Sequence, residues 1–446
     1  MKISKIHIKD FHQFKDFTLD LTYPQGHEDA GKPLDKVCFI GQSGTGKTSL
    51  LELIPLFTAG YISRLAKAWD EKSYIGKINL TFRFGNSLEY LNSVNIAYNE
   101  TEKRYGRNVE ISDIDTLVET VDSITLIEKW QREISKLIYL PANLDYDIDI
   151  DAENNFDDRK IIDFSQDKVS IVWNLILEKI KNYQEQELKI RQDISKVVEK
   201  SSNNISAIQK AVKELEDWKQ TEFNPIRDVA DNCLDPLLAK FKLRVKTELD
   251  FKTKDDIGFI KVEDFEGNEI PHGLWSTGTK QVILSALPLY LLKPKHTVIL
   301  FDEPERSLYP DLQRKIVKYY SSLAESCQFF YSTHSPIIAS SFDPWEIVEL
   351  KFNKEGKVYR ETYFEGENHI DNYKWNPKYM RWDDILQRVF DLEDDGSPDR
   401  KIKLDELATL NVKFKKLKTK GHEHSVEALS IIKDIEKLSK ELSKWD

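Results

Sequence analysis

Apolar residues recur at nearly alternate positions close to the N-terminus, a pattern typical of strands with one buried face. We expect two antiparallel strands here, joined by a turn near Gln13. Residues 77–84 and 88–97 show a similar alternation around a Gly-Asn turn, which predicts a second hairpin. The apolar positions of the first pair are Ile3, Ile6, Ile8, Phe14, Phe17, Leu19 and Leu21.

Unbroken apolar runs occur farther along the chain, at 37–40, 137–140, 298–301 and 329–331. Such runs predict strands, and the run at 298–301 is typical of a central parallel strand buried on both faces. Helical patterns follow the first and third runs, so we expect an α/β fold. The longest apolar stretch, 282–292, predicts a buried helix, because a membrane span needs about 18 apolar residues.

Residues 169–222 carry a different pattern, in which apolar residues at steps of three, four and seven keep one heptad phase. Polar residues interrupt this seam at Glu187, Ser201 and Asn204. The run 201–204 is either the tip of a short antiparallel coiled-coil hairpin or the weak centre of one long helix, and we favour the hairpin. The apolar positions are Ile176, Ile180, Tyr183, Ile190, Ile194, Val197, Ile208, Ala211, Leu215 and Trp218.

The composition and the cysteine spacing narrow the kinds of partner and site that the protein can have. Of the 446 residues, 40% are hydrophobic, and the formal net charge of −11 means that any nucleic-acid contact requires a local basic patch. Cys38, Cys233 and Cys327 lack metal-binding spacing, which disfavours disulfides and zinc. The charged N-terminus does not resemble a signal peptide, so we expect a cytoplasmic protein without membrane contact.

The segment Gly41 to Thr48 has the spacing G-x-x-x-x-G-K-[ST] of a phosphate-binding loop between a strand and a helix. Glycines allow backbone N–H groups to surround phosphate oxygens, and the helix N-terminus adds the positive end of its dipole. Lys47 is expected to reach the β- and γ-phosphates, and the Thr48 hydroxyl to ligate Mg²⁺. The predicted nucleotide-binding positions are Gly41, Gln42, Ser43, Gly44, Thr45, Gly46, Lys47, Thr48 and Ser49.

Two acidic residues follow the apolar run at 298–301 and supply what a phosphate loop alone lacks. Asp302 is positioned to hold the Mg²⁺ of a bound nucleotide, directly or through water. Glu303 is positioned to orient or deprotonate the attacking water. A nucleotide with β- and γ-phosphates and its Mg²⁺ are therefore the predicted ligands, and the resemblance described below implies that the nucleotide is ATP.

Two further segments have both a structural and a functional interpretation. Ser276 and Gly278 begin a predicted helix, where the serine is either an ordinary cap or, with free N–H groups, a γ-phosphate ligand. His334 follows the apolar run at 329–331 and is either a structural histidine or a sensor of the γ-phosphate.

The order of these motifs resembles the ABC-type ATPase head, in particular the SMC and RecF-like branch with its stand-alone OLD and Septu (PtuA) phage-defence ATPases. The resemblance rests on the phosphate loop, S-T-G-T-K-Q, I-L-F-D-E-P, the S-L-Y-P loop and S-T-H-S-P. It implies a homodimer with ATP between two heads, in which Ser276 and Gly278 act on the nucleotide of the other protomer. Ser307 would couple the two sites, His334 would be the switch histidine, and Glu303 would support hydrolysis.

The expected architecture is an α/β P-loop ABC-type ATPase head with a coiled-coil insertion and a helical C-terminal extension. The predicted domains are an ATPase lobe at 1–165, the insertion at 166–224, a second lobe at 225–350 and a mainly helical region at 351–446. A Toprim-like nuclease is not predicted, because the residues before the acidic segment 363–371 are too polar for a buried strand.

The resemblance implies an ATPase that acts as the sensor or regulator of an antiviral system, with a separate nuclease or toxin as effector. A RecF-like repair ATPase and a slowly hydrolysing scaffold that sequesters a partner are the alternatives. The basic segment 401–420 is either a solvated helix face or a contact for nucleic-acid phosphates.

Overall fold

The computed structural model describes residues 2–57, 79–85, 91–99, 104–112, 137–144, 161–200, 204–248, 259–362, 364–365, 370–371, 375–392 and 396–442. The strands are β1 Lys2–Phe11, β2 Phe14–Asp20, β3 Lys36–Gly41, β4 Asn79–Gly85, β5 Leu91–Asn99, β6 Arg104–Ser112, β7 Leu137–Leu140, β8 Ile161–Asp163, β9 Leu243–Val245, β10 Val262–Asp264, β11 Glu269–Ile270, β12 Val298–Asp302, β13 Gln328–Ser332, β14 Ile347–Phe352, β15 Val358–Arg360, β16 Phe364–Glu365 and β17 Ile370–Asp371.

Helices alternate with strands between residues 277 and 352 and dominate the end of the described chain. They are α1 Lys47–Leu53, α2 Asn174–Lys200, α3 Ile205–Thr221, α4 Pro225–Val229, α5 Asp235–Leu238, α6 Thr277–Leu292, α7 Pro310–Ser322, α8 Pro336–Ala339, α9 Trp382–Arg388, α10 Pro398–Thr419 and α11 Val426–Leu442. Within the described ranges, no helix is both long and apolar enough to span a bilayer.

One mixed sheet organises the larger part of the described chain, with the strand order β6-β5-β4-β1-β2-β15-β14-β3-β13-β12-β7-β8. The segment from β14 to β8 is parallel throughout. The segment from β6 to β2 is antiparallel. This arrangement confirms the predicted α/β fold class, and it places the carboxyl ends of β3, β12 and β13 side by side, where α/β sheets bind ligands.

The apolar runs form the centre of this sheet because they are covered on both faces. Every residue of β12 and of β13 is buried. Gln328, the first residue of β13, is fully buried; its side chain accepts from the Ile3 amide (2.7 Å) and donates to the carbonyls of Ile3 and Leu34 (both 2.9 Å). One glutamine therefore satisfies backbone groups of β1 and of the loop before β3.

The insertion at 174–221 is a helical hairpin of α2 and α3, as favoured from the heptad pattern. Tyr183 of α2 stacks on Trp218 of α3 with ring centroids 4.8 Å apart, and Lys219 pairs with Glu187 at 3.0 Å. The polar interruptions have structural causes: Glu187 pairs across the hairpin, and the Asn204 side chain caps α3 by accepting from the Ala207 amide (3.1 Å). Ser201 lies outside the described residues.

The chain divides into two compact units, residues 1–379 and 380–446. The predicted start of the C-terminal region, residue 351, lies inside β14, which pairs with β3, and β15 continues the sheet beyond it. The polar end of β14 is buried less than its start, so its sequence resembles a loop. Within the second unit α10 and α11 are antiparallel, since Lys403 pairs with Glu441 at 2.7 Å.

Candidate nucleotide site

The phosphate loop connects β3 to α1 and depends on glycine where the chain approaches its neighbours. Gly41 has φ 139°, and a Cβ there would lie 2.3 Å from the Leu350 carbonyl oxygen on β14. Gly46 has φ 87° and precedes α1, and a Cβ there would lie 2.4 Å from Gln13 Nε2. Only glycine fits both positions without displacing neighbouring chain.

Lys47, the first residue of α1, is almost fully buried within the loop. Its amine donates to the carbonyl oxygens of Gly41 (2.9 Å) and Gln42 (3.2 Å). Burial lowers the pKa of Lys47, and the nearby carboxylates of Glu303 and Asp302 act against that shift. The amine is therefore a desolvated donor at the loop, where phosphate oxygens would replace the carbonyl acceptors.

Thr48 and Asp302 meet between the loop and the end of β12. The Thr48 hydroxyl donates to both carboxylate oxygens of Asp302, at 3.0 and 3.2 Å. Burial raises the pKa of Asp302, while hydrogen bonds from Ser332 and Thr48 lower it. A hydroxyl and a carboxylate are hard oxygen ligands, so this pair fits the Mg²⁺ of a nucleotide.

Glu303 and His334 follow the neighbouring strands β12 and β13, and the sheet brings them together. The Glu303 Oε1 atom lies 4.0 Å from His334 Nε2, and both side chains are partly exposed. The Glu303 amide donates to the Ser332 carbonyl (2.9 Å), which fixes the turn after β12. Burial lowers the pKa of His334, and the Lys47 charge adds to this shift. A partly exposed carboxylate and imidazole therefore lie near Lys47 of the phosphate loop.

The segment Ser276–Gly278 begins α6 and contacts the loop after β12. The Ser276 hydroxyl accepts from the Thr279 amide (3.1 Å), so it caps the helix within its own chain. A Cβ on Gly278 would lie 2.7 Å from the Ser307 carbonyl oxygen. Ser307 has φ 62°. The signature-like segment and the Ser307 loop are therefore in direct contact within one protomer.

The remaining predicted positions lie in the loop between β3 and α1 or in the first turn of α1; they are Gln42, Ser43, Gly44, Thr45 and Ser49. Thr45 is fully buried and its hydroxyl donates to the Gln42 carbonyl at 2.8 Å, which holds the turn closed. Gln13, which no motif identifies, lies at the β1–β2 turn, and its Nε2 donates to the Gly44 carbonyl at 3.4 Å. Its contact joins positions 31 residues apart, so no local sequence pattern could reveal it.

We predicted from the sequence that the acidic segment 363–371 does not form a Toprim-like nuclease site. This stays a prediction, because part of the segment lies outside the described residues. Its described residues form β16 and β17, a two-stranded antiparallel sheet. In the described part of the chain, no group of three or more His, Cys, Asp or Glu side chains is arranged to hold a metal ion.

The chain is similar to one family of known proteins and to several solved structures. A family model described as an AAA ATPase domain matches residues 1–339. No curated protein matches the chain.

Solved structures of SMC head domains are also similar to the chain. The SMC head bound to the C-winged helix domain of ScpA has 13% identity, covers 81% of this chain and 97% of that chain, and has a TM-score of 0.45. The SMC head with an extended coiled coil, bound to a C-terminal ScpA domain from Pyrococcus furiosus, has 13% identity, coverages of 80% and 95%, and a TM-score of 0.43. The SMC head from Thermotoga maritima has 11% identity, coverages of 81% and 98%, and a TM-score of 0.39.

Proposed function

Because the chain belongs to the AAA ATPase domain family, we propose that it binds Mg²⁺ and ATP at Gly41–Thr48 and hydrolyses ATP between two head domains. The observation that supports this most is the convergence of Lys47, Thr48 and Asp302 with Glu303 and His334. These five residues come from three distant segments and meet at one edge of the parallel sheet. Such a set combines phosphate binding, metal ligation and a base.

In the proposed reaction, Lys47 and the loop N–H groups would hold the phosphates. Thr48 and Asp302 would hold the Mg²⁺, which would supply charge stabilisation. Glu303 accepts a proton from the attacking water, for which its partly exposed carboxylate is accessible. His334 contacts the γ-phosphate from the neighbouring strand end.

The site of one protomer is incomplete in this proposal. Ser276 and Gly278 of a second protomer would close over the γ-phosphate, and Ser307 would connect the two sites. The support is the motif order and the direct contact between Gly278 and Ser307. ATP binding would thus favour a homodimer, and product release would separate it.

For biological role, we propose the OLD or Septu-type function: an ATPase that senses infection and regulates a separate effector nuclease or toxin. The motif resemblance supports this role, and the hairpin of α2 and α3 offers a surface for a partner. This role can be tested by co-expressing the protein with the product of the neighbouring gene and purifying them together. A stoichiometric complex with a nuclease or toxin supports the role, and tight duplex DNA binding without such a partner supports RecF-like repair instead.

The Glu303→Gln variant tests the proposed chemistry. We expect it to bind ATP with normal affinity and to lose ATP hydrolysis by about 100-fold or more, because the amide cannot accept the proton. A Mg²⁺- and ATP-dependent dimer should accumulate in light scattering. Lys47→Ala is the matched control, which should lose nucleotide binding and the dimer together.

Unchanged hydrolysis in Glu303→Gln would show that Glu303 is not the base. Slow hydrolysis by the natural protein, with a dimer that persists for hours, would favour the ATP-bound scaffold over the regulated ATPase.

A further inference from the structure

Glu305 joins two loops of the site although no motif assigns it a role. It lies after β12 in the segment that leads to α7. Its Oε1 atom accepts a hydrogen bond from the Thr333 hydroxyl (2.6 Å) and another from the backbone N–H of His334 (3.1 Å). One carboxylate oxygen thus holds the loop that presents His334.

The second carboxylate oxygen of Glu305 has a different environment from the first. Glu305 Oε2 is buried and has no hydrogen-bond partner in the described part of the chain. Burial raises the pKa of Glu305. The described hydrogen bonds from other residues to this carboxylate all reach one oxygen, and both come from the loop that presents His334.

A second connection joins the same loops. The Ser335 hydroxyl donates to Gln313 Oε1 (2.6 Å), and Gln313 Nε2 donates to the Leu308 carbonyl (2.8 Å). Glu305 and Leu308 flank Ser307, the residue that contacts Gly278. Hydrogen bonds therefore join the loop at 303–308 to the loop at 333–335 on both sides of Ser307.

We propose that Glu305 is a positioning residue, which holds the His334 backbone so that the imidazole stays beside Glu303 and follows the Ser307 loop. This inference rests on the proposed function, since it concerns the same ATPase site. It gives a route by which contact at Ser307, on the proposed dimer face, reaches His334. Glu305 need not touch the nucleotide.

The test compares two substitutions of Glu305 by steady-state ATP hydrolysis. Glu305→Ala removes the acceptor, and we expect kcat to fall on the order of 10- to 100-fold, since small displacements of catalytic groups have effects of that size. The KM for ATP should stay within about twofold, because the phosphate loop is untouched. Glu305→Gln keeps an acceptor oxygen, so its kcat should remain within about threefold of the natural protein.

Glu346→Gln is the matched control, because Glu346 is a buried glutamate that pairs with Lys36 at 3.0 Å. Among the described contacts, no hydrogen bond or ion pair joins it to either loop. It should change the melting temperature and leave kcat unchanged. ATP binding by fluorescence and thermal melting of each variant show whether a variant has failed to fold. A folded Glu305→Ala protein with normal kcat overturns the inference.

A double-mutant cycle separates positioning from a general structural role. If Glu305 acts through His334, Glu305→Ala should cost little further activity in a His334→Ala background, because the group that it positions is already absent. Additive losses overturn the inference. Failure of the proposed function is distinguishable, because then the natural protein itself would not hydrolyse ATP.

Discussion

Two residues of the site adopt the left-handed backbone conformation that non-glycine residues avoid. Glu303 has φ 46° and Ser307 has φ 62°. Such conformations cost on the order of 1–3 kcal/mol and persist only where surrounding contacts impose them. The Glu303 amide donates to the Ser332 carbonyl, and the Ser307 carbonyl abuts Gly278. The strain thus lies at the proposed base and at the proposed coupling residue.

Gly278→Ala tests the contact with Ser307 at the level of single atoms. The added Cβ would meet the Ser307 carbonyl oxygen at 2.7 Å, so the loop must shift. We expect a destabilisation of about 1–3 kcal/mol in thermal or urea unfolding, as for overpacked positions. ATP turnover should fall while ATP binding by the monomer is retained.

Gly273→Ala is the control for that substitution, because a Cβ there meets nothing within 4 Å and it lies just before the same helix. Equal stability and equal turnover of the two variants would show that the Gly278 contact carries neither strain nor coupling.

Local sequence patterns predict the groups that we propose to perform the chemistry, but not the groups that hold them in place. Lys47, Asp302 and Glu303 lie within short motifs whose neighbours are adjacent in sequence. Glu305 binds Thr333, 28 positions away, and Gln13 binds Gly44, 31 positions away. A hydrogen bond across such distances depends on the fold, so the sequence contains no periodic signal for it.

Elements bring the site together because parallel strands end at the same edge of a sheet. Asp302 is paired with Ser332 between β12 and β13, and Ser332 with Phe39 between β13 and β3. Glu303 follows Asp302, and Thr333 follows Ser332. Phe39 is followed by the last two residues of β3, which lead into the phosphate loop. Buried apolar runs predict the strands, but only the pairing order decides that β13 lies between β3 and β12.

The helical hairpin illustrates how an element tolerates a polar residue in an apolar seam. Glu187 accepts from Arg191 (2.8 Å) and pairs with Lys219 (3.0 Å). Burial acts to raise the pKa of Glu187, but the hydrogen bonds from Arg191 and Lys219 outweigh it, so the pKa is lowered. A lowered folded-state pKa contributes stability above the unfolded value, and this stability is lost as the pH falls through the lowered pKa.

Glu187→Gln should therefore weaken the hairpin at pH 7, on the order of 1 kcal/mol for a partly buried, charge-assisted pair. The difference from the natural protein should narrow as the pH falls below about 4, where the unfolded glutamate is protonated. Thermal melts followed by circular dichroism at pH 7 and pH 3.5 measure this difference in stability. The control is Glu178→Gln, which changes an exposed glutamate of the same helix. A difference that does not change with pH would contradict the ion-pair explanation.

At the scale of the whole molecule, the charge is distributed unevenly. The net charge is −11, yet the last turns of α10 and the residue after it carry a cluster of exposed lysines. None of them has an ion pair within the residues that the structure describes. The lysines of this cluster are Lys413, Lys415, Lys416, Lys418 and Lys420. An unpaired basic cluster on an acidic protein fits the phosphates of a nucleic acid.

Replacement of these five lysines by alanine should reduce the affinity for a short duplex in fluorescence anisotropy. It should also flatten the dependence of log K on log salt by up to about 0.9 per lost phosphate contact. ATP hydrolysis without nucleic acid should not change. Lys403→Ala, which removes a lysine already paired with Glu441, is the control. Equal salt slopes in the quintuple variant and the natural protein would contradict nucleic-acid contact at this cluster.

Features that depend on residues close together in the chain could be predicted from the amino-acid order: the phosphate loop, the acidic pair after a buried strand, the heptad seam and the α/β class. Features that depend on contacts between distant segments required the folded structure: the strand order, the extension of the sheet to Arg360, the contact of Gly278 with Ser307 and the connection of Glu305 to His334. The reason is physical. Periodicity reports which face of an element is buried, whereas pairing across the sheet is selected by the packing of segments hundreds of residues apart.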